Sequence, residues 1–118
     1  MKKLLLAAVI LTLGLATVSY AQNLQMANFN TGTTSSGWTL DKGTGERSYD
    51  IEIVFDKPYE SRPEVFCSIT AIDAANDKNI RVAVKAKAVT RDGFIISVIT
   101  WGDSKVNGLS GAWFAFAK

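Results

Sequence analysis

The chain has 118 residues, with 13 Lys and Arg, 11 Asp and Glu, and no histidine. This length is typical of one domain. The lack of histidine excludes Ser-His-Asp and Cys-His catalysis and histidine-based zinc sites, and the near balance of charge does not fit a nucleic-acid-binding protein.

The N-terminal residues have the pattern of a secretion signal peptide. Its parts are Lys2 and Lys3 as the charged region, residues 4–18 as the apolar region, and Ser19 and Ala21 as the small residues before a cleavage site. The apolar run of about 15 residues is shorter than the ~20 that a membrane span needs. We therefore predict a signal at 1–21, cleavage near Ala21–Gln22 and one domain at 22–118, secreted to the periplasm or outside the cell, with no membrane span.

Short apolar or alternating segments follow one another through the rest of the chain and predict strands. The predicted strands are 24–28, 48–55, 64–72, 80–89, 94–101 and 112–117, and 102–111 is predicted to be a loop. Trp38 is predicted to be a core residue. Cys67 is the only cysteine, and we expect it to pack as a small hydrophobic residue, although an intermolecular disulfide is an alternative. The pattern indicates an all-β antiparallel sandwich or barrel of about six strands.

A four-residue turn at 90–93 predicts how the two strands beside it pair. If Val89 lies opposite Phe94, Val82 lies opposite Trp101 and Arg81 opposite Gly102, close to Asp103. A guanidinium, a carboxylate and an aromatic ring would then surround a gap over Gly102. This chemistry suits a sugar, because Arg and Asp offer fixed donors and acceptors to neighbouring hydroxyls. The alternative is a surface ion pair beside a core tryptophan.

An ordered set of short motifs lies between Phe55 and Trp113. It includes FDKPY, RPEV, SITAID, NIRV, and TW followed by KV. In the order and spacing of these motifs, the chain resembles the H-type lectin domain family, which includes snail agglutinins and the C-terminal domains of slime-mould discoidins. The resemblance implies a small antiparallel β-sandwich. It also implies a homotrimer with sites for galactose or N-acetylgalactosamine at the protomer junctions.

The same resemblance implies which residues contact the sugar. Arg81 and Trp101 match the family's arginine and tryptophan, whereas Gly102 and Asn107 stand where snail members have histidine and tyrosine. The family's aspartate lies in the loop before the second strand, where Asp41, Thr44 and Glu46 are candidates.

Three classes of function follow from these observations. The first is a secreted carbohydrate-binding lectin that recognises glycans without catalysis, cofactor or metal. The second is a structural or protein-interaction trimer that has lost the sugar. The third is a glycosidase with paired carboxylates such as Asp50 and Glu52, which we do not favour because two acids on one strand face are typical of a solvated surface. The acids of residues 73–79 do not match a calcium-binding loop and predict a turn.

Overall fold

The computed structural model describes residues 23–118, which form six antiparallel strands. They are β1 (Leu24–Gly32), β2 (Arg47–Val54), β3 (Glu64–Ala74), β4 (Val82–Lys87), β5 (Gly93–Thr100) and β6 (Val106–Phe116). They make two three-stranded sheets with the orders β1-β6-β3 and β2-β5-β4. The predicted all-β fold of about six strands is therefore confirmed. The predicted signal peptide lies outside the described residues.

The core lies between the two sheets and is rich in aromatic rings. The Phe94 and Trp113 ring centroids, from the central strands of opposite sheets, are 5.3 Å apart. Phe55 packs edge-on against Tyr59 at 5.1 Å. Strand β5, the central strand of its sheet, is mostly apolar on both faces, and its inward residues Ile96 and Val98 are fully buried. Within residues 23–118, the structure contains no helix that could cross a membrane.

Three strands are longer than the sequence predicts: β3 ends at Ala74 instead of residue 72, and the larger differences are in β1 and β6. Strand β6 begins at Val106 although residues 102–111 are predicted to be a loop, and β1 continues through Gly32 beyond the predicted end at Asn28. Both extensions are rich in Gly, Asn, Ser and Thr, which local propensity assigns to loops. They pair with each other from Asn28–Ala112 to Gly32–Gly108, so pairing between the strands overrides the propensity.

The predicted register of the β4–β5 hairpin is wrong by one residue. Val82 lies opposite Thr100, not opposite Trp101, and Val84 lies opposite Val98. The chain leaves β4 after Lys87 through Ala88, which has a left-handed φ of 53°, so the connection is longer than the predicted turn. Val82 and Val84 still face the core. A shift of one residue moves Trp101 to the opposite face of the sheet.

Three connections meet at one end of the sandwich, namely residues 33–46, 75–81 and 101–105. Backbone hydrogen bonds join them, from Gly45 N–H to the Gly102 carbonyl at 2.9 Å and from Ala75 N–H to the Lys105 carbonyl at 3.0 Å. Trp38 is buried and donates its indole N–H to the Val106 carbonyl at 2.9 Å. The prediction of Trp38 as a core residue is confirmed, and its contact fixes the first connection on β6.

Candidate functional site

The backbone of Arg81 is held from both sides just before β4 begins. Its N–H donates to the hydroxyl of Ser104 at 3.0 Å, and its carbonyl accepts from the hydroxyl of Thr100 at 2.5 Å. Both hydroxyl residues are buried, so they have little freedom to move. The backbone position from which the Arg81 side chain extends is therefore set by contacts that do not depend on its charge.

The side chain of Arg81 meets Gly102 and Asp103, as the sequence predicts. Its Nη1 lies 2.7 Å from Oδ1 of Asp103, and this hydrogen bond holds the pKa of the Asp103 carboxyl below its usual range. The predicted gap over Gly102 is filled, because a Cβ added there would lie 3.1 Å from Nη1 of Arg81. Gly102 therefore makes room for the guanidinium itself.

Trp101 lies on the outer face of the β2-β5-β4 sheet. It is 43% exposed, whereas Trp38 and Trp113 are each 6% exposed. The ring borders a cleft of about 320 Å³. The other residues that line this cleft are Glu46, Ala83, Lys85 and Ile99. An apolar floor between a carboxylate and an ammonium group is suited to a ligand with a C–H face and polar substituents.

The remaining predicted residues are divided between the cleft and its surroundings. Glu46 lines the cleft beside Trp101. Asp41 is half-buried, and its Oδ1 has no hydrogen-bond partner within residues 23–118. Thr44 is exposed in the loop before β2. Asn107 is half-buried on β6 of the other sheet, and its backbone carbonyl accepts from Thr33 N–H at 3.0 Å. The structure therefore brings Arg81, Gly102 and Asp103 into contact. Glu46 and Trp101 line the cleft together, and neither Asp41 nor Asn107 lines it.

Sequence reasoning missed the residues that support this region. Thr100 and Ser104 flank the predicted tryptophan, but nothing in their spacing shows that they bind the Arg81 backbone. Arg47 is also absent from the prediction, although its guanidinium reaches the carbonyls of Gly102 and Ser104 at 3.0 and 2.9 Å. A charged residue at the first position of an alternating strand is the signal that could have found it.

Asp50 and Glu52 do not form a pair of facing carboxylates. Asp50 is bound by Lys87 at 2.9 Å, and its hydrogen bonds with Lys87 and Ser97 lower the pKa of the carboxyl. Glu52 borders clefts on a different part of the sheet. In the part of the chain that the structure describes, no group of three or more Cys, Asp or Glu side chains is placed to hold a metal ion.

Comparison with known proteins relates the chain to one family of domains. Residues 50–116 match the model described as H-type lectin domain. The chain is 31% identical over 81 residues to the protein called ATP synthase subunits region ORF 7 of Fuscovulum blasticum, an alignment that covers 69% of this chain and 68% of that protein. It is 26% identical over 102 residues to a discoidin-1 subunit of Dictyostelium discoideum, covering 83% of this chain and 40% of the relative. The structure of recombinant discoidin II from Dictyostelium discoideum superposes with a TM-score of 0.68 at 25% identity, covering 80% of this chain and 37% of that one.

Proposed function

The chain belongs to the H-type lectin domain family, and we propose that it is a secreted lectin that binds galactose or N-acetylgalactosamine without catalysis. The observation that carries this proposal is the exposed ring of Trp101, which stands in the chain directly before Gly102 and Asp103, the residues that meet Arg81. A galactopyranose has one face of C–H groups, which an aromatic ring can cover, and neighbouring hydroxyls, which a guanidinium and a carboxylate can bind.

Arg81 has donors left for a ligand. Its two side-chain hydrogen bonds within residues 23–118, to Asp103 and Ser104, both come from Nη1. A guanidinium has five N–H donors in a fixed plane. The Nη2 and Nε groups can therefore reach sugar oxygens while Asp103 keeps the plane in one orientation.

We expect the purified protein to bind N-acetylgalactosamine near millimolar, about −4 kcal/mol, as a shallow site for one sugar does. Trp101→Ala should weaken binding about three- to tenfold, because an aromatic contact is lost, with little change in stability because the ring is exposed. Isothermal titration with N-acetylgalactosamine, galactose and glucose measures this. Val54→Ala, an exposed apolar residue outside the cleft, is the control and should bind as the parent does. Equal binding by Trp101→Ala and the parent would remove Trp101 from the site.

The second candidate function is a trimer that keeps the fold and does not bind sugar. The filled space over Gly102 and the position of Asn107 away from the cleft favour it. A glycan array separates the two functions. Binding to galactose-type glycans supports the lectin, and silence across the array at a high protein concentration supports the trimer without sugar.

Assembly is part of the proposed mechanism, and one surface is suited to it. We use the name apolar face for the outward side chains of the β1-β6-β3 sheet near the chain termini, which are Leu24, Met26, Phe66, Phe114 and Phe116. Phe66 is 50% exposed, and its ring stacks on Phe114 at 5.3 Å and on Phe116 at 5.9 Å. Contiguous exposed apolar groups of this kind mark protein interfaces. Three linked sites would raise the effective affinity about 10²-fold by avidity.

We expect light scattering at micromolar concentration to give the mass of a trimer. Phe66→Glu should dissociate it, because a buried unpaired carboxylate is costly. The matched control is Val54→Glu, which places the same charge on the outer face of the other sheet and should leave the trimer intact. A monomer mass for the parent protein would contradict the assembly, and dissociation by Val54→Glu alone would move the interface to the other sheet.

A further inference from the structure

The guanidinium of Arg47 is surrounded by backbone carbonyls from two separate connections. Nε donates to the Gly45 carbonyl at 2.9 Å, and Nη2 donates to the Gly102 carbonyl at 3.0 Å. Nη1 lies 2.7, 2.9 and 3.5 Å from the carbonyl oxygens of Lys42, Ser104 and Leu40. Three of these carbonyls belong to the loop before β2, and two belong to the turn after β5. One side chain therefore ties both connections together.

The position of Arg47 explains why it can reach both segments. It is the first residue of β2 and lies opposite Thr100, the last residue of β5, so it stands where the two connections leave the same sheet. The hydrogen bond from Gly45 N–H to the Gly102 carbonyl, at 2.9 Å, joins the segments a second time.

The charge of Arg47 matters as much as its reach. The negative ends of five carbonyl dipoles point at one place, and they would repel one another without a cation between them. Hydrogen bonds from a charged donor are about twice as strong as neutral ones. Arginine alone offers a planar fork of donors that stays charged at any ordinary pH. A neutral side chain of similar length would leave the carbonyls of Lys42, Gly45 and Ser104 without this donor. The Gly102 and Leu40 carbonyls would keep only the backbone N–H groups of Gly45 and Val106.

The turn that Arg47 holds carries the residues that face Arg81. Gly102 has a left-handed φ of +66°, and Asp103 follows it and binds Arg81 at 2.7 Å. The loop on the other side of Arg47 carries Glu46, which lines the cleft with Trp101. A change in the distance between loop and turn would therefore move two parts of the site at once.

We propose that Arg47 is the positioning residue of the sugar site, which fixes the Gly102–Asp103 turn against the loop that carries Glu46 without contacting the sugar. The proposal rests on the proposed function, because it assigns a ligand to the site. Its structural part, that Arg47 holds the loop and the turn together, can be tested without any sugar.

The test compares Arg47→Met with Arg91→Met, which removes the same charge from the connection at the opposite end of the sandwich. Hydrogen exchange without ligand measures how firmly Arg47 holds the loop before β2 against the turn after β5. We expect the Gly45 amide, which donates to Gly102, to exchange about tenfold faster in Arg47→Met and at the parent rate in Arg91→Met. Parent-like exchange of Gly45 in a folded Arg47→Met protein would overturn the proposal.

Titration with N-acetylgalactosamine then reports the effect on binding. Arg47→Met should lose about tenfold in affinity, Arg91→Met should lose none, and Arg47→Lys should recover part of the loss because it restores the charge but not the fork.

Methylguanidinium, added to Arg47→Met, should occupy the emptied carbonyl cluster and restore both the slow exchange and the affinity. A purely structural role predicts no such joint recovery. Fast exchange in a variant that binds like the parent would also overturn the proposal. If the parent itself binds no sugar, the proposed function fails and the positioning role fails with it. The exchange data still show whether Arg47 holds the loop and the turn together.

Discussion

Replacing Arg81 with alanine is expected to lower the affinity for galactose-type sugars about ten- to a hundredfold, since hydrogen bonds from a charged group contribute about 1.5–3 kcal/mol. The Arg81 side chain is one-third exposed, so it is accessible to a ligand. Its loss should hardly alter the fold, because the Arg81 backbone is held by Ser104 and Thr100, not by its own side chain. Isothermal titration with N-acetylgalactosamine measures the affinity, and thermal unfolding measures the fold.

Two further variants make this result specific. Arg91→Ala removes an exposed arginine from the opposite end of the sandwich and should bind as the parent does. Arg81→Lys keeps the charge but loses the planar fork, so its affinity should lie between those of the parent and Arg81→Ala. An unchanged titration for a folded Arg81→Ala protein would show that the guanidinium makes no contact with the sugar.

The strands could be predicted because their side chains alternate or because they are continuously apolar. Tyr49, Ile51 and Ile53 alternate with acids in β2, and β5 is mostly apolar, with Ser97 and Thr100 as its polar side chains. The start of β6 and the end of β1 could not be predicted in this way. Their polar and glycine-rich residues become strands because they pair with each other and because the start of β6 also pairs with β3. Such pairing between distant segments leaves no local pattern.

Part of the candidate site could also be predicted from the sequence. Arg81, Gly102 and Asp103 meet although the predicted register is wrong, because Ser104 binds the Arg81 backbone from within the turn itself. The predicted pairing of Val82 with Trp101, which would put Trp101 on the same face as Val82, is wrong. A left-handed residue at Ala88 lengthens the connection between the two strands. The sequence marks Arg47 only as a charged residue at the start of an alternating strand. It does not show which groups Arg47 binds, since its partners are all backbone carbonyls and any residue supplies those.

Gly102→Val is expected to weaken sugar binding more than tenfold and to destabilise the fold by about 1–2 kcal/mol, because a non-glycine residue is strained at a left-handed φ. The added Cβ would lie 3.1 Å from Nη1 and 3.4 Å from Cζ of Arg81. At these distances the guanidinium must shift by a few tenths of an ångström, and we expect the two methyl groups of a β-branched valine to displace it further from Asp103. The observations to make are titration with N-acetylgalactosamine and chemical unfolding.

Gly37→Val separates the strain from the contact with Arg81. Gly37 also has a positive φ, +85°, but a Cβ there would meet nothing within 4 Å. It should lose a similar amount of stability and keep the parent affinity, so a binding defect in Gly102→Val alone would come from the displaced guanidinium.

Gly102→His is informative for the opposite reason. The resemblance to snail agglutinins suggests that histidine adds a sugar contact, whereas the structure predicts that its Cβ displaces Arg81 as valine does. Tighter binding by Gly102→His would mean that the turn adopts another backbone conformation, and the role assigned to the Arg81–Asp103 pair would then be wrong.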